Sequence, residues 1–339
     1  MVTNNSFTSN SKMSLKNRLF FQKIISIAII VSLILLPFEL YFRNKVHDLN
    51  KKKQIIVSRL DSTVVAIMGS SHTNFGIDPS YISLDATNFA FPAQSLYYDC
   101  KLIDKYYSRM PSLKFVIFDL SIHTFGYNEY QSSPRECFVY KKEFGIPLEH
   151  QTYFDIRDYS ALALSLTTVF PDNLFNYIDK NIFSEKPNGG SAAIINNDGF
   201  QENGFFYNST VVKAEFNDRE GLDRVAAQFG GLDSSNVEPI TKLLDKTIND
   251  LKKNGIEVIF VTVPCHKSYY KHIDIKSRSD FFIRVNYFTN KYKIKYFNYL
   301  DDSRFTLEDF ADIDHLNYIG AKKFSKIINE DLFKSSTGY

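Results

Sequence analysis

Short apolar runs alternate with amphipathic segments along most of the chain. Four such runs are rich in β-branched and aromatic residues, as is typical of strands buried on both faces: Thr63–Met68, Leu113–Leu120, Ile256–Val263 and Ile294–Phe297. Because strands of this kind are covered by helices on both sides, the pattern predicts a parallel sheet.

The segments between these runs carry helical periodicity. Apolar residues recur every three or four positions, which predicts helices over Gln94–Met110, Val237–Asn254, Ser277–Tyr292 and Tyr318–Phe333. The alternation of strands and helices predicts an α/β fold with three layers, α/β/α, and a parallel sheet, spanning residues 62–335. In such a sheet, ligands bind at the carboxyl ends of the strands.

The alternation breaks down over residues 122–231, where turn-forming residues are frequent. A long irregular segment inside a compact domain is usually functional or a small subdomain. We therefore expect this segment to be an inserted cap over the site.

The N-terminal part carries a different pattern. Residues 1–18 are polar and rich in Ser and Asn, which predicts a disordered tail. Residues 19–42 form an apolar run long enough to cross a bilayer, and residues 43–61 are expected to form a polar, partly helical stalk. Bulky residues follow the run where a signal peptide would carry a small-residue cleavage site, so an uncleaved anchor is favoured over a cleaved leader.

The orientation of this anchor is not set by charge, because basic residues flank the run on both sides. The expectation is a single-pass protein of the cell membrane. Its N-terminus would lie in the cytoplasm and its main domain outside, in the periplasm or outside the cell.

Composition narrows the function classes. The formal net charge is +2, which gives no reason to expect nucleic-acid binding. The three cysteines, Cys100, Cys137 and Cys265, lack metal-type spacing, so three buried thiols are favoured, although one disulfide bridge stays open. No metal ion and no cofactor is predicted.

Candidate chemistry comes from two short segments. Gly69-Ser70-Ser71 ends the first predicted strand and presents a serine at its carboxyl end. Asp312 and His315 precede the last predicted helix and can supply the other two members of a Ser-His-Asp triad. Taken singly, the first segment is also typical of an ordinary turn and the second of a polar loop that caps a helix. Together, and in this order, they favour an acyl-transfer site.

Further site residues are weaker candidates. Asp314 competes with Asp312, but a side chain adjacent to His315 on extended backbone should point away from it. Oxyanion donors are sought in the backbone N–H groups of Ser71 and Ala90 and in Ser121. His72 and His266 follow strand ends, and they are candidates for substrate binding or for packing in turns.

These residues resemble the blocks of the SGNH, or GDSL-type, hydrolase superfamily. Its first block is Gly-x-Ser with the serine third, which matches Gly69-Ser70-Ser71, and its last block is Asp-x-x-His, which matches Asp312 and His315. Ala90 is the nearest match to the glycine of the second block. Asp119-Leu120-Ser121 stands in place of the Gly-x-Asn-Asp of the third block. The resemblance implies that Ser71, rather than Ser70, is the nucleophile.

The anchor, the Gly-Ser-Ser start and the altered third block are most similar to exported superfamily members that work in acylation of cell-surface polymers. Examples are the D-alanine transfer protein of teichoic-acid operons and the alginate O-acetylation proteins. This resemblance implies a serine acyl esterase or O-acyltransferase acting on O-acyl groups of an extracytoplasmic polysaccharide or other surface polymer, beside a membrane-bound O-acyltransferase. The alternative is a non-catalytic domain that binds polymer or scaffolds the acyltransferase complex.

Overall fold

The computed structural model describes residues 15–44, 48–126, 138–146, 156, 159–163, 194–202, 216–230, 232 and 234–334. Within them lies one parallel sheet of five strands in the order β2-β1-β3-β4-β5. The strands are β1 (Val65–Met68), β2 (Ala86–Asn88), β3 (Phe115–Asp119), β4 (Glu257–Thr262) and β5 (Lys295–Asn298). The α/β fold predicted from the apolar runs is therefore confirmed.

The α-helices of the described residues are, in chain order, α1 (Leu15–Asn44), α2 (Asp48–Ser58), α3 (Ser71–Gly76), α4 (Leu96–Tyr106), α5 (Asp218–Phe229), α6 (Val237–Lys253), α7 (Lys267–Tyr270), α8 (Ile275–Tyr292) and α9 (Tyr318–Asn329). Helix α6 shows how they form. Its apolar stripe, including Ile240, Leu244 and Ile248, is buried against the sheet. The chain leaves the helix through Gly255, whose φ of +74° suits glycine.

The helices form two layers. Helix α6 packs against α4 and α8, whereas α3 packs against α9. Right-handed crossovers from β2 to β3, β3 to β4 and β4 to β5 place the first group on one face, and the reversed step from β1 to β2 places α3 on the other. The direction of chain travel therefore changes between β1 and β3. In open parallel sheets this is where ligands bind.

Two predicted boundaries need correction. The segment expected to be a stalk includes helix α2 and the turn after it, where Ile56 and Leu60 are buried in the core. This segment is amphipathic, and it is part of the domain. Helix α1 begins at Leu15, so residues 15–18 are helical rather than part of the tail. Residues 1–14, Cys137, Ser335 and most of the predicted cap lie outside the described residues.

Helix α1 is the one element of the described chain that is long and apolar enough to span a membrane, over Leu15–Tyr41, with a mean hydropathy of 2.5 in its apolar 18-residue stretch. The end of this helix contacts the domain. Glu39 accepts hydrogen bonds from the backbone N–H groups of Ala161 and Leu162 at 3.0 and 2.9 Å and from the hydroxyl of Ser160 at 2.7 Å. The carboxylate thus caps a short helical turn in the predicted cap region.

Candidate active site

A tight turn after β1 presents the serine. Gly69 has a φ of +152°, and a Cβ there would meet Thr73 Oγ1 at 2.4 Å and Asp119 Cβ at 2.9 Å. Only glycine therefore fits between β3 and the start of α3. Ser70 occupies the N-cap position in extended backbone, and Ser71 is the first residue of α3. The switch point of the sheet thus carries the Ser71 hydroxyl.

Ser71, His315 and Asp312 lie in hydrogen-bonding order. Ser71 Oγ is 2.8 Å from His315 Nε2, and His315 Nδ1 is 3.0 Å from each carboxylate oxygen of Asp312. In the tautomer with the proton on Nδ1, His315 donates to Asp312 and accepts from the Ser71 hydroxyl. That arrangement can remove a proton from the serine.

Local backbone bonds shape the loop that holds the acid and the base. Asp312 Oδ1 accepts from the backbone N–H groups of Asp314 and His315 at 3.0 and 2.8 Å. Ala311 N–H donates to the carbonyl of His315 at 2.9 Å, which closes the loop. Asn317 then caps α9 by accepting from the amides of the first turn. Asp312 therefore both stabilises the loop through backbone hydrogen bonds and contacts the ring of His315.

Asp314 does not point away from His315, contrary to the expectation from extended backbone. Its Oδ1 is 3.4 Å from His315 Nδ1. The backbone turns at this point, and the carboxylate is fully buried. Arg224 Nε donates to both carboxylate oxygens at 2.9 Å, and Gln228 Nε2 donates to Oδ2 at 2.7 Å. His72 Nε2 lies 3.0 Å from the same oxygen.

The two carboxylates change the basicity of His315. Burial by itself would lower the pKa of this imidazole, but Asp314 and Asp312 outweigh burial and raise the pKa to about 9. Burial would also raise the pKa of Asp314, but the neighbouring His315 and His72 hold that pKa well below its ordinary value. Asp314 is therefore a charged group inside the protein.

A cavity of about 300 Å³ opens beside Ser71. Its walls come from the turn after β1, the loop between β2 and α4, the end of β3, and α5. The lining is mostly polar, and its members are Ser70, Ser71, His72, Ala93, Gln94, Ser95, Leu96, Asp99, Asp119, His123, Thr124, Arg224, Ala227 and Gln228. A cavity of this size can hold a small ligand group.

The weaker candidates have mixed outcomes. The N–H of Ala90 donates to Asn88 Oδ1 at 2.9 Å, so Ala90 is unavailable as an oxyanion donor and that assignment is wrong. Ser121 does not line the cavity, and its Oγ lies 3.5 Å from His72 Nδ1. His72 lies beneath the triad, with its ring centroid 4.7 Å from that of His315.

His266 lies in a different place. Its Nδ1 accepts from the backbone N–H of Ser268 at 3.2 Å, which makes it the N-cap of α7. The ring lines a separate cavity of about 390 Å³ with Tyr270 and Phe310. Of the two roles expected for His266, packing in a turn agrees with this N-cap position, and His266 does not line the cavity beside Ser71.

Several site residues were missed by sequence reasoning. Ala93 lines the cavity with a φ of +59°, an unusual conformation for a residue with a side chain. The Pro92-Ala93 step was a turn signal that could have drawn attention to it. Arg224 and Gln228 come from α5. Their spacing of four puts them on one helix face, but nothing local to α5 relates that face to Asp314.

One set of donor atoms has the proximity of a metal site. Atoms of His72, Asp314 and His315 lie within 4.8 Å of one another. The guanidinium of Arg224 already binds the carboxylate of Asp314, and a metal cation there would have to displace that charge. The described residues thus favour an ion pair over a metal ion at this position.

Comparison with known proteins adds little to this geometry. No family model matches the sequence, and no curated protein matches it. Among solved structures, a Bacteroides fragilis protein described as a "putative acylhydrolase" is similar at a TM-score of 0.37 and 12% identity, over 80% of this chain and 86% of that chain. Likeness at this level carries no argument about function, which must come from the residues of the site.

Proposed function

We propose that this protein is a membrane-anchored serine acyl esterase or O-acyltransferase with Ser71 as nucleophile, His315 as base and Asp312 as acid partner. One observation carries the proposal. The hydroxyl of Ser71, the two ring nitrogens of His315 and the carboxylate of Asp312 are in hydrogen-bonding sequence at 2.8 and 3.0 Å, beside a cavity at the switch point of the sheet.

The first half of the reaction forms an acyl-enzyme. Ser71 Oγ attacks the ester carbonyl carbon while its proton passes to His315 Nε2. Asp312 keeps the imidazole in the required tautomer and stabilises the imidazolium. The tetrahedral intermediate collapses when His315 returns the proton to the departing alcohol oxygen, and the acyl group remains on Ser71. In the second half, water or a sugar hydroxyl loses its proton to His315 and attacks the acyl carbon. The bond from that carbon to Ser71 Oγ then breaks as His315 passes the proton to Oγ, which restores the free serine.

The oxyanion of the intermediate needs donors close to Ser71. The N–H of Ser71 meets this need, because the first residues of a helix have no intrahelical acceptor and no described group accepts from this one. Ser121 stands where the resembled superfamily has an asparagine, and its side chain lies against His72. The proposed site therefore depends on backbone donors more than that superfamily does.

The proposed substrate is an O-acylated polymer at the cell surface. Two observations support this choice: the sequence resemblance to polymer-acylation proteins, and an N-terminal helix of membrane-spanning length. The proposed setting is the outer face of the cell membrane, with a membrane-bound O-acyltransferase as partner.

Two serines in one turn provide a matched test. In cells that carry Ser71→Ala, the ester-linked acyl content of the surface polymer should change as it does in a deletion strain, whereas Ser70→Ala should behave as wild type. Purified full-length protein in detergent should hydrolyse p-nitrophenyl acetate, and Ser71→Ala should lower kcat/KM by about 10³-fold or more. Wild-type polymer acylation with Ser71→Ala, together with loss of acylation on deletion, would replace the enzyme with the non-catalytic scaffold.

A further inference from the structure

A buried network beneath the triad is not used by the reaction as described above. Its centre is Asp314, which has no exposed surface. Three side chains from outside its own loop converge on its two oxygens: Arg224 and Gln228 from α5, and His72 from α3. A buried carboxylate is costly unless it is paired and fully hydrogen-bonded. These partners supply both the positive charge and the donors.

The network reaches further than one carboxylate. Gln228 Oε1 accepts from the hydroxyl of Tyr269, which lies in α7 after β4. His72 is the residue next to Ser71, and its ring lies 4.7 Å from that of His315. Helix α5 is part of the predicted cap region, yet it is connected through these contacts to the loops that carry the base and the nucleophile.

Asp314 also contacts the catalytic ring directly. Its Oδ1 lies 3.4 Å from His315 Nδ1, the same nitrogen that Asp312 contacts at 3.0 Å. Asp312 is 32% exposed, whereas Asp314 is sealed from solvent. The charge of the buried carboxylate is therefore screened less than that of the exposed one. A protonated His315 would therefore contact two carboxylates, one partly exposed and one buried.

We propose that Asp314, held by Arg224, Gln228 and His72, is a positioning residue that orients His315 and stabilises its protonated form together with Asp312. The proposal rests on the proposed function and deepens it. Arg224 limits how strongly Asp314 stabilises protonated His315, because its guanidinium neutralises part of the negative charge of Asp314. Helix α5 thus serves as a brace for the catalytic base as well as a wall of the cavity.

Several elements supply the titratable and charged groups around His315 and its two carboxylates. Asp312 and Asp314 lie in its own loop, His72 on α3, and His123 after β3. Arg224 lies on α5, and Cys265 follows β4. Burial, with His72 as a further cause, lowers the pKa of His123 to about 3, so that ring is neutral at working pH. The charged groups that act on His315 directly are therefore Asp314 and Asp312, and the guanidinium of Arg224 binds the first of them.

The test is the pH dependence of kcat/KM for p-nitrophenyl acetate, with full-length protein in detergent. The rise of kcat/KM with pH, called the ascending limb, follows the loss of the proton from His315. Asp314→Asn keeps the shape of the side chain and removes its charge, so this limb should move to lower pH by about one unit or more. Arg224→Gln removes the neutralising charge, so the limb should move to higher pH. Arg219→Gln is the matched control, because Arg219 is on the same helix, is 86% exposed and pairs with Asp223; its profile should match wild type.

A purely structural role for Asp314 predicts a different pattern. Both variants would then lower the rate at every pH and leave the limb in place, which would overturn the proposal. NMR titration of the His315 ring in a Ser71→Ala background measures the same property without substrate. The midpoint should move to lower pH in Asp314→Asn and to higher pH in Arg224→Gln. If Asp314→Asn does not fold, the pH profile of Arg224→Gln tests the proposal by itself. An ascending limb at the wild-type position in Arg224→Gln would then contradict the proposal.

The result is separable from the proposed function. An inactive Ser71→Ala protein with unmoved limbs in Asp314→Asn and Arg224→Gln would overturn only the role of Asp314. Full ester hydrolysis by Ser71→Ala would overturn the triad itself.

Discussion

The residue that decides the chemistry is His315, because two carboxylates contact the same ring nitrogen. Asp314 and Asp312 raise its pKa to about 9 even though burial acts in the opposite direction. Only the neutral imidazole can accept the proton of Ser71. A base of this kind is mostly protonated at neutral pH, and the proposed enzyme should work best in alkaline solution.

The first prediction is therefore an alkaline pH profile. We expect kcat/KM for a simple ester to rise about tenfold per pH unit below the pKa of His315 and to level off near pH 9. Initial rates between pH 6 and 10, corrected for spontaneous hydrolysis, measure this. A limb centred near pH 6.5, the ordinary value for histidine, would show that the carboxylates do not act on the ring as described.

The same shift has a consequence for stability. The folded-state pKa of His315 lies above its unfolded value, so the folded protein binds the proton more tightly. The resulting stabilisation is fully present below about pH 6.5, the unfolded pKa, and is lost as the pH rises through about 9. The free energy of unfolding should therefore fall across this window in Ser71→Ala protein, and the fall should be smaller in a Ser71→Ala, His315→Ala double variant.

At the residue level, a sequence pattern can bring together side chains whose contact depends on local chain geometry. Asp312 and His315 are three residues apart on one loop, so a sequence pattern could pair them. It failed where the decisive partner is distant in sequence. Asp314 turns toward His315 because Arg224, ninety residues earlier, binds its carboxylate. His266 caps a short helix instead of facing substrate, and no periodicity distinguishes those two uses.

At the level of elements, hydrophobic runs located most of the sheet. Strands β1, β3, β4 and β5 each fall at a predicted apolar run. Strand β2 was missed because Ala86-Thr87-Asn88 has only three residues and no apolar run, and its pairing with β1 defines it instead. Helix α5 was missed because its apolar face is narrow.

Helix α2 illustrates how a polar segment can belong to the core. Lys52 is buried, and burial lowers its pKa well below the ordinary value. Its Nζ donates to the carbonyl of Gly199 at 2.6 Å and to Asn74 Oδ1 at 3.0 Å. These partners are neutral oxygens, and so is the third, Asn88 Oδ1 at 3.5 Å. Lys52 thus ties α2 to α3, the helix that begins at Ser71, and to the 194–202 segment.

This contact gives a stability prediction. Lys52→Ala leaves buried acceptors unsatisfied and opens a cavity, so the free energy of unfolding should fall by about 1–3 kcal/mol. The neighbour Lys53 is a matched control, because it lies near the surface and is 3.7 Å from Glu143; Lys53→Ala should cost about 1 kcal/mol or less. Denaturant unfolding followed by circular dichroism measures both. An equal loss of unfolding free energy in the two variants would show that the buried hydrogen bonds of Lys52 do not stabilise the fold.

At the scale of the whole molecule, the N-terminal apolar helix α1 and the domain are connected through Glu39 and Arg43. Arg43 donates to Glu39 at 2.7 Å and to the carbonyl of Tyr159 at 2.8 Å. A domain attached this closely to the end of a membrane-spanning helix would lie at the bilayer surface. Composition and length predicted the helix, but the contacts with residues 159–163 depend on tertiary packing and have no sequence signal.

The topology prediction belongs to this scale. A fusion of alkaline phosphatase to the C-terminus should be active in a bacterial host, and a fusion of green fluorescent protein at the same place should be dark when exported through the general secretion route. Both outcomes follow if the domain lies outside the cytoplasm. If the green fluorescent protein fusion is fluorescent and the phosphatase fusion is inactive, the domain lies in the cytoplasm, and a surface polymer is excluded as substrate.

The most direct test of the central claim is covalent labelling of the nucleophile. Full-length protein in detergent is treated with a fluorophosphonate, and the adduct is located by peptide mass spectrometry. We predict one adduct, on Ser71, which persists in Ser70→Ala, is lost in Ser71→Ala and forms far more slowly in His315→Ala. Folded wild-type protein that takes no adduct, or an adduct that persists in Ser71→Ala, would contradict the claim that Ser71 is an activated nucleophile.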